Sequence, residues 1–160
     1  MIHKTAIVDP GAQLAGDVEV GPYTVIGHGV HIDSGTRIGA HAVIGGPSRI
    51  GKNNHIYNHV SLGQAPQDKK YGGEPTSLEI GDNNTIREYI TIHRASVSGD
   101  GVTSIGNNNF LMAYAHIAHD CKIGDNIIMA NAATLAGHVS VEDHAVVGGL
   151  VAVHQFTRIG

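Results

Sequence analysis

The chain has one cysteine, Cys121, and no tryptophan. A single thiol excludes an intrachain disulfide framework and cannot by itself build a cysteine zinc site. Aromatic residues make up only 4% of the 160 residues, so the core is not built on large rings. Charged residues are 15%, well below the roughly 25% of ordinary soluble domains. Ten Lys and Arg against 14 Asp and Glu leave a formal charge of −4, a poor basis for binding nucleic acid. No apolar stretch approaches the ~18 residues of a membrane span. The start, Met1-Ile2-His3-Lys4, does not open a signal-peptide apolar region. These absences lead to the expectation of one soluble, cytoplasmic domain with no nucleic-acid partner and no membrane span.

Glycine and histidine are what the chain has in excess. The 22 glycines are about twice the ordinary share. The 12 histidines outnumber all the lysines and arginines together.

A period of six runs through the whole sequence. Ile2, Val8, Leu14, Val20, Ile26, Ile32, Ile38, Ile44, Ile50, Ile56 and Leu62 are all aliphatic. The frame returns at Ile80, Ile86 and Ile92, and again, one residue out of phase, from Ile105 through Leu111, Ile117, Ile123, Met129, Leu135, Val141, Val147 and Val153 to Ile159. Glycine follows the aliphatic residue in many hexads, as at Gly21, Gly27, Gly39 and Gly45. A period of six fits neither an α-helix nor a long amphipathic strand. It fits a solenoid of short strands and tight turns, with Gly, Asn and Asp at the turns. The pattern resembles hexapeptide-repeat proteins, in which three hexads make one triangular coil. The twenty-four hexads then predict an all-β, single-stranded parallel β-helix of about eight coils. Periodicity does not reveal its hand; the resemblance implies a left-handed prism, against the usual right-handed crossover rule.

The frame breaks twice. Extra residues fall at 68–79, rich in charge, and at 98–104, rich in Gly and Ser and nearly featureless. Loops thrown out from a rigid scaffold often carry function. That expectation rests mainly on the first loop, since a tolerated surface insertion explains the second as well. Taking every third hexad as one face groups those that start at Leu62, Ile92, Ile117, Leu135 and Val153. Both loops leave from this face. It also carries His93, His119, His138 and His154, one per consecutive coil. At the strand spacing of about 4.8 Å this is a ladder on the order of 14 Å long. His3, His28, His31, His41, His55, His59 and His144 lie elsewhere and read as solvated turn residues.

Three readings of the ladder stand. It is a stack of surface imidazoles, a metal centre, or an acid–base site. γ-Class carbonic anhydrases use a prism of this kind with zinc between subunits, but their ligand spacing does not occur among these histidines, and no metal is expected. The segment Ala115-His116-Ile117-Ala118-His119-Asp120-Cys121 favours acid–base chemistry, because a carboxylate can fix an imidazole's tautomer and raise its basicity. Neighbouring strand residues point opposite ways, so Asp120 can orient His119 only where the strand turns.

Five segments in register make a more specific likeness: Q-D-x-K-Y-x-G-E-P-T at 67–76, I-R-E-x-x-T-I-H-R at 86–94, A-H-I-A-H-D-C at 115–121, N-x-A-T-L-A-G-H-V-x-V at 131–141 and V-H-Q-F-x-x-I-G at 153–160. From about residue 50 onward the chain resembles the UDP-N-acetylglucosamine O-acyltransferases that open lipid A biosynthesis in Gram-negative bacteria. The resemblance implies transfer of an (R)-3-hydroxyacyl group from acyl carrier protein to the 3-hydroxyl of UDP-N-acetylglucosamine, by a homotrimer with sites between neighbouring prisms and without a cofactor. It assigns His119 as general base, Asp120 as its orienting carboxylate and Gly137 as a backbone oxyanion donor. It places Gln67, Asp68, Lys70, His93, His116, His138, His154 and Gln155 around the substrates. Two departures stand out. Ala95-Ser96 occupies a place where the family usually has Gly-Thr, a change expected to matter little. The family's later coils and C-terminal helical domain, which complete the uridine pocket, set acyl length and dock the carrier protein, have no counterpart in these 160 residues. The domain expected is therefore a β-helix over 1–160 without the helical part, and a catalytically incomplete trimeric fragment is an alternative reading. The related N-acyltransferases fit less well, because they carry a domain before their hexads, whereas this chain enters the repeat at Ile2.

Overall fold

The spacing of the aliphatic residues is the spacing of the strands. In the computed structural model, which describes residues 1–160, twenty-three strands of two to four residues follow one another. They form three parallel sheets of eight, eight and seven strands, and each sheet takes every third strand. The architecture is a left-handed parallel β-helix of hexapeptide repeats. No helix is long and apolar enough to cross a membrane.

Each coil repeats the one below it after 18 residues, as in Val8 against Ile26 and Ile26 against Ile44. The interval widens to 30 residues between Leu62 and Ile92, and to 25 between Ile92 and Ile117. Two loops therefore leave the coil and return to it in phase. Counting by hexads puts the extra residues at 68–79 and 98–104. The strands Ser77–Ile80 and Val102–Ile105 take up the last residues of both stretches, with Leu78 paired to Ser48 and Thr103 paired to Leu78. The chain thus re-enters the ladder earlier, and the excursions run through 65–76 and 94–101. Periodicity counts the surplus residues; backbone pairing decides where the surplus lies.

Every strand turns at least one aliphatic residue inward. Ile26, Ile44, Leu62, Ile92, Ile117 and Leu135 form one such column, all fully buried. Burial of each side chain is worth about 1.5–3 kcal/mol. The end coils have a neighbour on one side only, and Ile2, Val153 and Ile159 are accordingly less covered.

The corners need a backbone turn that L-residues seldom adopt. One column of positive φ runs through Tyr23, His41, His59, Tyr89, Tyr114, Ala132 and Leu150, a second through Asn53, Asn83, Asn108, Asn126 and His144, and a third through Asp120, His138 and Phe156. Hydrogen bonds to the coil below offset the strain. The N–H of His41 donates to Pro22 O, and that of His59 to Ala40 O, both at 3.0 Å. In the first column the rings of Tyr23, His41, His59, Tyr89 and Tyr114 stack at 5.0–5.1 Å with nearly parallel planes. His41 and His59 are exposed, as the sequence reading expects, but they form an ordered column.

Gly63 launches the first loop. Its φ is +71°, and a Cβ there would lie 2.3 Å from Gly45 O. Only glycine fits. The ladder bulges at this point, and Gln64 rather than Gly63 comes to pair with His93.

A buried dyad at a corner of the prism

The face expected to carry a single histidine ladder carries two pairs instead. His93 and His116 meet edge to face with ring centres 5.0 Å apart. His119 and His138 meet in the same manner at 5.3 Å. His138 also stacks on Phe156 at 4.7 Å. His154 stands apart and exposed, with its Nδ1 3.4 Å from the carbonyl of Gln155. His93 and His116 lie on the strands Thr91–His93 and His116–Ile117, whereas His119 and His138 belong to corners. That difference in local backbone splits the ladder.

The corner also solves the problem of adjacent side chains pointing apart. Asp120 has φ 62°, and this turn brings its carboxylate round to its neighbour. His119 Nδ1 lies 2.7 Å from Asp120 Oδ2, with both residues more than nine-tenths buried. A carboxylate can only accept, so Nδ1 carries the proton and donates it. Nε2 is thereby left with its lone pair, as a general base requires. Gly137, on the next coil, faces this ring. A Cβ at Gly137 would lie 2.6 Å from His119 Cε1 and 2.8 Å from Nε2. Glycine is thus what allows the imidazole to sit against the backbone. Gly137 is buried, and its N–H has no hydrogen-bond partner within the chain.

The second loop closes round the carboxylate. Ser96 Oγ donates to Asp120 Oδ2 at 2.6 Å and Ser96 N at 3.2 Å, while Asp120 N donates to Thr103 Oγ1 at 2.9 Å. Ser98 Oγ lies 2.6 Å from Ser96 Oγ and 3.4 Å from His138 Nε2. Gly99 packs so closely that a Cβ there would be 2.6 Å from Asp120 Oδ1. Sequence reasoning missed Ser96, Ser98, Gly99 and Thr103. A Gly/Ser-rich stretch carries no signal of its own, and Asp120 is 24 residues from Ser96.

The first loop forms the opposite wall. A cleft of about 410 Å³ is lined by Gln67, Asp68, Lys69 and Lys70 of that loop, by His119 and His138, and by Ser98, Gln155 and Phe156. Arg94 anchors the loop. Its guanidinium donates to Gly63 O at 2.9 Å and to Tyr71 Oη at 3.2 Å, and Tyr71 Oη donates on to Glu74 O. The structure therefore gathers Gln67, Asp68, Lys70, His119, His138 and Gln155 about one cleft, with Asp120 and Gly137 behind the His119 ring. His93 and His116 adjoin along the sheet, and His154 is not drawn in. A larger depression of about 510 Å³ lies by Met1, His3, Arg37 and His55, where Arg37 pairs with Glu19 at 3.6 Å but no histidine is bonded to a carboxylate.

Burial sets the electrostatics of the adjoining histidines. It pushes the His93 imidazole down to about 4, helped by the charges of His116, His119 and Arg94. Burial and His119 lower His116 as well. Both rings are neutral at neutral pH. His93 Nδ1 is buried without a partner, and His116 Nδ1 meets Thr91 Oγ1 at 2.7 Å.

His119, Asp120 and His138 are the one cluster with the composition of a metal centre. Its geometry fits poorly. Two ligands on a tetrahedral zinc at about 2.0 Å stand roughly 3.3 Å apart. The 2.7 Å between His119 Nδ1 and Asp120 Oδ2 is a charge-assisted hydrogen-bond distance.

The chain is similar to known acyltransferases. The bacterial transferase hexapeptide family (six repeats) matches residues 1–34 and 102–137. The acyl-(acyl-carrier-protein)–UDP-N-acetylglucosamine O-acyltransferase of Herminiimonas arsenicoxydans is 61% identical over 160 residues, all of this chain and 61% of that protein. The solved structure of LpxA from Acinetobacter baumannii superposes with a TM-score of 0.97 at 51% identity, over 98% of this chain and 61% of that one. LpxA from Bacteroides fragilis, a UDP-N-acetylglucosamine acyltransferase, superposes with a TM-score of 0.89 at 38% identity, over 100% of this chain and 67% of that one. The chain thus spans about three fifths of the length of the first curated relatives it matches.

Proposed function

The chain belongs to the UDP-N-acetylglucosamine O-acyltransferase family of hexapeptide-repeat proteins, and from that premise we propose that it transfers an (R)-3-hydroxyacyl group from acyl carrier protein to the 3-hydroxyl of UDP-N-acetylglucosamine, the opening step of lipid A biosynthesis. The observation that carries the reading is the buried His119–Asp120 pair, set against Gly137 at the edge of an open cleft.

In this reaction His119 Nε2 removes the proton from the sugar hydroxyl as that oxygen attacks the thioester carbonyl carbon. Asp120 holds Nδ1–H and stabilises the imidazolium that forms. The carbonyl oxygen becomes an oxyanion and takes up the unpaired Gly137 N–H. Collapse restores the C=O bond and breaks the C–S bond. The departing carrier-protein thiolate takes the proton back from His119. The thioester supplies the activation, so the scheme calls for no cofactor. A positioned base contributes about 10²–10⁴ in rate, and an oxyanion donor about 10²–10³.

Gln67, Asp68 and Lys70 act from the loop on the sugar and the acyl hydroxyl, and His116, His138 and Gln155 on the sugar nucleotide, with His93 beside them. His154 joins them on binding or through a neighbouring prism, since within one chain it meets only Gln155. We read residues 1–160 as one β-helix domain that works as a homotrimer. The support is the exposed apolar surface of the same sheet. Ile7, Val25 and Val43 point outward from its first coils, beside the stacked column of Tyr23, Tyr89 and Tyr114.

The test is transfer of a 3-hydroxyacyl group from its carrier protein to UDP-N-acetylglucosamine, compared between the wild-type chain and His119→Ala. Product from the wild type and a loss of at least about 10²-fold in the folded variant is the expected result. Near-normal turnover in the variant removes His119 from the reaction.

A further inference from the structure

The carboxylate of Asp120 is held asymmetrically. Oδ2 receives His119 Nδ1–H, the Ser96 hydroxyl and the Ser96 N–H, while Oδ1 is buried with no partner behind Gly99. Acceptor-only chemistry then fixes the sense of every proton in the neighbourhood. Ser96 O–H must point to Oδ2. Its Oγ is left to accept, and Ser98 O–H, 2.6 Å away, is the donor. Ser98 Oγ in turn accepts from His138 Nε2 across a longer 3.4 Å contact, and the same nitrogen stands 3.6 Å from Asp120 Oδ2, which also calls for a proton there. The chain of donors runs His138 Nε2–H to Ser98, Ser98 to Ser96 and Ser96 to Asp120, where it meets His119 arriving from the other side.

We propose that the second loop is the positioning device of this dyad, that Ser96 is its positioning residue, and that the serine pair fixes the tautomers of two histidines: His119 with its proton on Nδ1 and His138 with a proton on Nε2. The proposal rests on the acyl-transfer reading for its kinetic consequence but not for its geometry. Ser96 is buried and does not line the cleft. It acts by holding Asp120 Oδ2 where His119 needs it, and its hydroxyl is the shortest contact that oxygen makes. The second loop thus has a use that its composition hides. It carries Ser98 to the neighbouring corner and seals Oδ1 with a residue that has no Cβ. His138 lines the cleft with its Nε2–H committed to Ser98, and its Nδ1 is left as an acceptor that no group of the chain occupies. That acceptor suits a hydroxyl or amide N–H of a bound sugar.

The experiment is ring-nitrogen NMR of histidine-labelled protein alongside acyl-transfer kinetics, for the wild type, Ser96→Ala, Ser96→Thr and Ser98→Ala. In the wild type we expect His119 protonated at Nδ1, with the downfield proton of a short bond to carboxylate, and His138 protonated at Nε2. Ser96→Ala should move the His119 proton resonance upfield and lower kcat about tenfold, the loss of one hydrogen bond to a charged group, with KM little changed. Ser96→Thr keeps the hydroxyl and should restore both. Ser98→Ala, at an exposed position, should disturb the His138 signals and leave the His119 proton in place. A wild-type His119 resonance and kcat in Ser96→Ala, or an equal loss in Ser96→Thr, overturns the proposal. If the wild type transfers no acyl group to UDP-N-acetylglucosamine, the functional reading fails, while the resonances of His119 and His138 still decide whether Ser96 and Ser98 hold them.

Discussion

Gly137→Ala adds one methyl group where the structure leaves no room for it. The new Cβ would stand 2.6 Å from His119 Cε1 and 2.8 Å from Nε2. Carbon atoms in contact rest about 3.5–4.0 Å apart, so one partner must retreat by roughly 1 Å. The backbone is poorly placed to yield. His138 N donates to His119 O at 3.1 Å, and Phe156 N donates to Gly137 O at 3.3 Å, which ties three coils together at this corner. The φ of Gly137 lies outside the left-handed region, so alanine brings no backbone strain of its own. The ring must therefore move, and its 2.7 Å bond to Asp120 must lengthen. A displacement of about 1 Å at a reacting group costs on the order of 10² in rate. Alanine keeps the backbone N–H, so this loss reports the displaced base and not a missing oxyanion donor. The assay is steady-state acyl transfer with both substrates saturating. The expected result is kcat lowered about 100-fold with a folded protein. Gly16→Ala is the control, because a Cβ there meets nothing within 4 Å. Near-wild-type kcat in Gly137→Ala would show that the His119 ring need not stay where the structure puts it.

Leu135→Ala removes a fully buried side chain whose strand pairs with Ile117 below and Val153 above. It should cost about 2–5 kcal/mol by denaturant unfolding, and an unchanged midpoint contradicts an inward Leu135. His93 makes stability pH-dependent. Its folded value is about 4 against 6.5 when unfolded, so the unfolded chain binds the proton first. The contribution of the neutral ring is present above pH 6.5 and is lost as pH falls through 4. Urea midpoints should drop across that window in the wild type and drop less in His93→Gln. Equal slopes in the two proteins contradict a buried neutral imidazole.

The period of six was enough to predict a solenoid of short strands. The resemblance to hexapeptide-repeat proteins supplied the triangular coil of three hexads, and from the two together the columns through Ile26, Ile92 and Leu135 follow. The pairing of His119 with Asp120 was half legible. Both residues stand next to each other in the chain, but adjacency in a strand separates side chains, and only the left-handed turn at Asp120 reunites them. Ser96 shows the limit more plainly. Ala95-Ser96 reads as a minor departure from a familiar Gly-Thr, yet its hydroxyl makes the shortest bond to the dyad.

The insertions teach the same lesson from the other side. Their lengths can be counted from the frame, because the ladder must resume in phase. Their bounds cannot, because Ser77–Ile80 and Val102–Ile105 add ladder pairs ahead of the periodic aliphatic residue. By itself the sequence determined the coil, the inward columns, the number of surplus residues and the histidine-bearing face, all of them consequences of local period. The tertiary structure alone decided which histidines meet, which oxygen of Asp120 is satisfied, and that the second loop folds back on the carboxylate. Those contacts join residues on different coils, and their geometry depends on corner dihedrals that no spacing along the chain encodes.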